Sequence, residues 1–591
     1  MQSRLAPLDS VDRIHDVGSV TSSAQVRLHL ATGSPASLPT FWLRGMRPSL
    51  TSYEAVDENE GRAVDDMLPP SMAHTVDERV LSSVEAVMEA DSTPMSRREL
   101  AAAQAQLPTK LGGLGASAAA ATAGAAWVAS FLACWPRMQR WFPLLAEVDP
   151  LAHSDPWFEE LRTTYADLLS RRRRVARIYD AFAADLSHYC DGTTVRQRFR
   201  PKDLAPAKAL PDFKSLFDGT SGIKPPSQRQ LASIVHHEAW VDLAEECVRF
   251  DRAEGPADRR DREATRLVDV SQPLAGAWIR MKPSCPDKRI SSADFRYELQ
   301  RRMGLHVTGA PAEVAVMLRR DGVPVDHLGD YFSITKGDRR PPHDDALRVW
   351  HDLAQASATS AVVMGDKSKP EDYRWANNGH VLDLGEPRRG KGGTDRVIEL
   401  KVYNSLVPSD ATPDASCSLR GDTHAFGNTE EYLIRRNKGV KARQGERPWS
   451  NAEGTGRVAL HKGCYDDTIN VKRNEMWLVV HNVFSGLNRE GVKLFNLYRA
   501  RAKHGTDRTD YVANDKGAYD VHSFAPHWAQ LLSAAIVKGD ARRALHAVDR
   551  CRDDCLRSSA RRVLADLRPQ PPPAAPRPAA YARPLECPAR P

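Results

Sequence analysis

Two short runs carry the residues whose types and spacing suit phosphodiester chemistry. The first is Val381-Leu382-Asp383-Leu384, and the second is Val397-Ile398-Glu399-Leu400-Lys401-Val402. Side chains alternate along a strand, so Glu399 and Lys401 share one face while Leu400 and Val402 take the other and can pack in a core. The intervening Glu386 to Asp395 is rich in Gly, Arg and Lys, as a hairpin loop would be. If the two runs pair as neighbouring strands, Asp383 sits beside Glu399. Two hard carboxylate oxygens can then hold Mg2+, with waters completing the shell. Such an ion lowers the pKa of a bound water and neutralises charge developing on a phosphate. A lysine two residues on can orient the attacking water and stabilise the transition state. Asp383, Glu399 and Lys401 are the candidate catalytic residues, the two carboxylates being the metal ligands. The plainer alternative is an amphipathic strand that merely ends in charged residues.

Other charged clusters are weaker. Gly390-Lys391-Gly392-Gly393 lacks the spacing of a phosphate loop and does not lead into a helix, so a flexible hairpin explains it. His236 and His237 adjoin Glu238 on an apolar helix, as an ordinary histidine pair would. Asn451 to Gly456 with Arg457 reads as a turn. The basic run Arg171–Arg174 reads as a solvated helix face.

The elements that would position these groups divide the chain by pattern. Helices are expected over Glu78 to Ala90, Ser96 to Gln106, Ala116 to Leu132 and Trp157 to Tyr189. A Pro- and Lys-rich stretch, Pro201 to Pro226, reads as a linker. Helical patterns resume at Ser227 to Phe250 and at Ser291 to Met303, the latter closed by Gly304. From His343 the pattern changes. A helix to Ser357 precedes strand-like runs Gly379 to Leu384 and Arg396 to Tyr403. A helix at Glu430 to Lys438 and a strand at Met476 to Phe484 follow. Two helices, Glu490 to Lys503 and Phe524 to Asp554, complete the pattern, the second with a potential break at Gly539. The tail after Arg568 is rich in Pro and Ala and is expected to be disordered.

Bulk properties bound the answer without deciding it. At 591 residues the chain is too long for one ordinary core. Its net charge of +7 is compatible with nucleic acid and not diagnostic of it. The nine cysteines include no CxxC pair, which fits a reducing, intracellular compartment and excludes a disulfide scaffold. The most apolar stretch, Ala118 to Ala133, falls short of the ~20 residues of a membrane span, and no apolar core marks a signal peptide.

The D…ExK arrangement resembles the PD-(D/E)XK nuclease superfamily. A second resemblance runs along most of the chain, roughly from 35 to 550. Leu107-Pro-Thr-Lys-Leu-Gly-Gly-Leu-Gly115 and the small-residue helix to Ser130 are similar to a segment downstream of the palm in non-LTR retrotransposon reverse transcriptases. Upstream, Leu38-Pro-Thr-Phe-Trp-Leu-Arg44 resembles another of their helices. Leu274-Ala-Gly-Ala-Trp278 and Phe295-Arg-Tyr-Glu-Leu-Gln-Arg-Arg-Met-Gly-Leu305 resemble a signature of the same C-terminal regions. Gly329-Asp330 and Arg340-Pro-Pro-His343-Asp344 stand where that family has its "GD…RHD" segment, ahead of a restriction-like endonuclease. Phe426 to Glu431, Lys438 to Lys441, Phe524 to Trp528 and Leu532-Ser-Ala534 match its tail.

The resemblance implies a nuclease that acts on DNA or RNA with Mg2+ as cofactor, and no membrane partner. Asp344 and Asp345 complement the dipole of the helix they open, and related nucleases imply Asp345 as an extra acidic ligand. Lys438, Lys441 and Arg443, with Arg388, Arg389 and Lys391 in the loop, are the candidate phosphate contacts. Solvated faces explain these basic residues equally well. Two departures matter. The family's zinc-knuckle cysteines are missing, and His306, His327 and His343 cannot supply a four-ligand site, so no zinc is expected. The paired aspartates of a polymerase palm are missing too. Tyr165-Ala-Asp167 is followed by Leu168 in a helical pattern, so no polymerase activity is expected.

The expected fold is an α+β and α/β mix: a mainly helical N-terminal half, a restriction-endonuclease-like α/β domain, and a disordered tail. The expected units are a poorly ordered 1–34, a post-palm helical region 35–200, a linker 201–226, a helical connector 227–342, the nuclease-like 343–567, and the tail 568–591. The expected function is that of a retrotransposon-derived protein with a Mg2+-dependent DNA endonuclease. The alternatives are a catalytically inactive nucleic-acid-binding remnant and a decayed product with no selected role. No motif assigns nuclear import or a protein partner.

Overall fold

The computed structural model describes residues 23–32, 72–116, 118–185, 210–217, 223–254, 262–283, 286–307, 327–330, 340–357, 362–365, 383–387, 395–404, 406, 468, 473–505 and 524–566. Helices dominate them. Those used below are α1 (Ala24–Thr32), α2 (Met72–Met88), α3 (Met95–Gln106), α4 (Ala119–Trp141), α5 (Pro156–Asp185), α6 (Gln228–Glu254), α7 (Arg262–Val270) and α8 (Ser292–Met303). Helix α8 shows how the sequence sets its boundaries. The Ser291 hydroxyl accepts the Asp294 N–H at 3.1 Å, and Gly304 closes the helix at φ 72°, where a side chain would be strained.

Helix α4 is 23 residues long, longer than the apolar run read from sequence, and by length and composition it could cross a membrane. Its Trp127, Phe131 and Trp135 pack instead among Trp157 and Phe158 of α5 and Leu231, Ile234 and Val235 of α6. The rings meet edge to face, Phe131 to Trp157 at 4.6 Å and Trp135 to Phe158 at 5.8 Å. Part of the expected linker belongs to this core: Phe213 and Phe217 pack on it, and Tyr165 donates to the Pro211 carbonyl at 2.8 Å. The basic run is not simply solvated either. Arg171 and Arg174 both reach Glu238 on α6 at 2.8 Å, and Arg174 also reaches Asp242.

Two segments that precede α8 in the chain, 109–113 and 270–275, converge on the guanidinium of Arg302. It donates to the carbonyls of Ala275 (2.8 Å), Val270 (3.2 Å), Thr109 (3.3 Å) and Gly113 (3.4 Å). Beside it, Arg266 takes the Gln104 side-chain oxygen at 2.8 Å and Glu263 at 2.6 Å, and Arg97 holds the other oxygen of Glu263 at 2.7 Å. Glycine is required where the backbones close in. A Cβ on Gly113 would lie 2.0 Å from the Leu107 carbonyl oxygen, and one on Gly276 would lie 2.8 Å from that of Thr109. The motifs at 107–115, 274–278 and 295–305 are therefore the walls of one buried polar hub. Asp330 extends it through Arg262, at 2.6 Å.

The remaining elements are α9 (Arg340–Ser357), β1 (Val363–Met364), β2 (Leu384–Glu386), β3 (Arg396–Tyr403), β4 (Glu475–Asn482), α10 (Arg489–Gly505) and α11 (Phe524–Asp566). The strands form one small mixed sheet in the order β1-β2-β3-β4. β1, β2 and β3 pair antiparallel, while β3 and β4 pair parallel from Arg396–Glu475 to Tyr403–Asn482. Leu384, Ile398, Leu400 and Val479 face Trp350 and Leu353 of α9, Leu494 and Tyr498 of α10, and Leu532 and Ile536 of α11 in a single core. Each such burial contributes about 1.5–3 kcal/mol.

Three expectations need revision. The strand read at 379–384 begins only at Leu384 among the described residues, so Asp383 precedes it. Helix α11 is unbroken at Gly539, which instead admits α9: a Cβ there would sit 2.5 Å from Pro342 Cα. Helix α9 starts at Arg340, with Pro341 and Pro342 in its first turn, where proline costs no hydrogen bond. The expected boundary at 342/343 thus falls inside a helix. The helix expected at Glu430 to Lys438 and the tail beyond 568 lie outside the described residues.

Candidate functional site

The register between β2 and β3 builds the site. Leu384 pairs with Ile398 and Gly385 with Val397. Continuing that antiparallel register by one residue sets Asp383 opposite Glu399. Asp383 is held there by the Leu400 backbone N–H, which donates to its Oδ2 at 2.7 Å. Along β3, Glu399 and Lys401 share a face, and the Lys401 ammonium pairs with Glu399 Oε1. The parallel pairing with β4 places Glu399 against Leu478 and Lys401 against Val480, in the interior of the sheet. Side-chain exposure rises from 4% at Glu399 through 19% at Asp383 to 36% at Lys401. The site therefore has its glutamate at the bottom and its ammonium at the mouth.

A fourth group arrives from α9. His343 Nε2 lies 3.4 Å from Asp383 Oδ2, and its Nδ1 lies 3.0 Å from Asp344 Oδ1. Burial alone would depress the imidazole. The hydrogen bonds and charges of Asp383 and Asp344 outweigh it and raise the pKa to about 9. His343 thus stands as an imidazolium between two carboxylates at neutral pH.

His343 also corrects the expectation for Asp345. Residues two apart on a helix point about 200° from each other, so Asp345 turns away when His343 faces Asp383. It pairs with Arg348 at 3.1 Å and Arg542 at 3.8 Å. It is a surface ion-pair residue and not a third acidic ligand. Sequence reasoning read Arg340 to Asp344 as a family segment and gave its histidine no part in the site. The signal was the helix period, which puts either 343 or 345 toward the sheet and never both.

A second buried ion cluster lies on the helix-facing side of the same sheet. Glu386, at the far end of β2, takes Arg396 of β3 at 2.7 Å and also pairs with Arg501 of α10. Arg396 in turn reaches Glu475 of β4 at 3.3 Å and lies over the Trp477 ring. These contacts fix three strands and a helix in one register.

Asp383 and Glu399 are oxygen donors of the type Mg2+ takes, one or two carboxylates with several waters. Both hydrogen bonds described for Asp383 fall on Oδ2, leaving Oδ1 for a cation. Among the described residues no three His, Cys, Asp or Glu side chains gather into a ready-made cage. Arg388, Arg389, Lys391, Lys438, Lys441 and Arg443 lie outside the described residues. Near the expected knuckle, the rings of His306 and His327 stack at 4.9 Å, and Val307 donates to the His327 carbonyl. No protein-family model and no curated protein matches the sequence.

Proposed function

We propose that this chain is a Mg2+-dependent phosphodiester hydrolase acting on DNA, an endonuclease of the PD-(D/E)XK kind within a retrotransposon-derived protein. The observation that carries the reading is the Leu400 N–H hydrogen bond that holds Asp383 against β3, one residue past the β2–β3 ladder and next to Glu399, with Lys401 two residues along on the glutamate's face. Asp383 and Glu399 would hold the ion, which supplies an activated water and charge neutralisation at the phosphate. Lys401, the most exposed of the three, would swing from Glu399 to the phosphate that it neutralises. The hub around Arg302 supports the ancestry part of the reading. Segments that resemble one family's C-terminal region in sequence order also meet in space.

The test is nicking of supercoiled plasmid with Mg2+. Wild-type protein should convert it to open circles, and Asp383→Ala or Glu399→Ala should lower the rate at least a hundredfold with melting temperature within a few degrees. Equal rates in wild type and Glu399→Ala would dismiss catalysis at this site. One observation favours a non-catalytic nucleic-acid-binding reading: Glu399 is buried and already paired with Lys401. That reading requires plasmid binding with no Mg2+-dependent nicking.

A further inference from the structure

Asp383 has two jobs to reconcile. It stands one residue before β2, so the sheet ladder does not fix its side chain, yet a metal ligand must present one oxygen in one direction. Two donors converge on its Oδ2: the Leu400 N–H at 2.7 Å from β3 and His343 Nε2 at 3.4 Å from α9. They come from different elements, so together they fix both the position and the rotation of the carboxylate. The His343 ring is fixed in turn through Nδ1 by Asp344, at 3.0 Å. The first turn of α9 is seated by the contact between Pro342 and Gly539, where no side chain would fit.

We infer that His343 is a positioning residue that locks Asp383 through Oδ2 and thereby dedicates Oδ1 to a divalent cation. The inference rests on the metal-site reading above and adds a residue that the D…ExK spacing does not contain. Ligating carboxylates that lose such a hydrogen-bond partner bind metal typically ten- to a hundredfold more weakly. Glutamine can place an amide N–H near the position of the imidazole Nε2, whereas alanine cannot.

The experiment is Mn2+ binding to the full chain, followed by the free Mn2+ paramagnetic signal and by calorimetry, alongside plasmid nicking. Asp383→Ala should abolish the site. His343→Ala should weaken Mn2+ at least tenfold, and His343→Gln should recover affinity to within about threefold of wild type. A merely structural role would lower the melting temperature of His343→Ala and leave the Mn2+ affinity of its folded fraction unchanged. That result, or Mn2+ binding in wild type that is indifferent to Asp383→Ala, would overturn the inference. If His343 governs Mn2+ affinity but wild type cuts no DNA, the nuclease reading fails while the positioning role stands.

Discussion

The indole N–H of Trp350 donates to His481 Nε2 at 3.0 Å, joining α9 to β4 inside the core. The other ring nitrogen, Nδ1, faces the Ser485 carbonyl at 3.4 Å, so the neutral tautomer satisfies both contacts. Burial lowers the His481 pKa to about 4, although the Ser485 carbonyl pulls the other way. A protonated His481 could not accept from Trp350.

The sign of the pH effect follows. The unfolded histidine takes its proton near pH 6.5 and the folded one near 4, so stability is full above 6.5 and falls as pH drops between those values. By pH 5, His481→Gln should remove about 2 kcal/mol of that acid sensitivity. Urea melts at pH 7.5, 6 and 5 read it as the difference between wild type and variant. His236, His237 and His306 are depressed in the same direction and cancel in that difference. Parallel curves for the two proteins would contradict the assignment.

Arg302 is buried among backbone carbonyls, and burial together with Arg266 brings its pKa down to about 9, which still leaves it charged at neutral pH. Arg302→Met leaves those carbonyls without a donor and should cost about 1–3 kcal/mol. Arg302→Lys should recover less than half of that, because an ammonium cannot spread its donors as a planar guanidinium does. Thermal and denaturant unfolding measure both, and full rescue by lysine would show that the charge matters and the fork does not.

Two glycines of the 107–115 turn should differ. A Cβ on Gly113 meets the Leu107 carbonyl oxygen at 2.0 Å, whereas one on Gly115 meets nothing closer than Arg280 at 3.5 Å. Gly115 has φ +73°, so alanine there pays mainly the left-handed backbone cost, about 1–2 kcal/mol. Gly113→Ala should cost about 3 kcal/mol or more, since backbone must move. Circular-dichroism melts of the two variants should rank Gly113 as the more sensitive.

Gly539→Ala should act on the site from outside it. The new methyl would press on Pro342 at 2.5 Å and displace the first turn of α9, which carries His343. The expected outcome is about 1–3 kcal/mol of lost stability, with a weaker Mn2+ affinity in the protein that remains folded. An unchanged affinity in Gly539→Ala would separate the helix contact from the carboxylate.

Much of the architecture was readable because it depends on local period. The alternation of Val397 to Val402 gave the strand, and Ser291 and Gly304 marked the ends of α8. The pairing of Leu384 to Glu386 with Arg396 to Ile398 followed from the short, Gly-rich connection between two apolar runs. What could not be read depends on partners distant in sequence. Gly539 looked like a helix break because its neighbour Pro342 is nearly 200 residues away. Arg171 and Arg174 looked solvated because Glu238 belongs to another helix. His343 was passed over because nothing in its own segment reveals that the face it occupies meets the sheet.

The ties of α11 to the earlier helices have a further consequence. Asp540 pairs with Arg301 of α8, and the Ser533 hydroxyl meets both the Leu274 carbonyl and the Trp278 N–H. The sheet therefore cannot be excised as a portable cassette: grafting residues 343–567 alone onto another protein would strip α11 of half its seat. A substitution that loosens residues 262–307 would therefore reach the helical cover of the sheet through α11 without touching a strand.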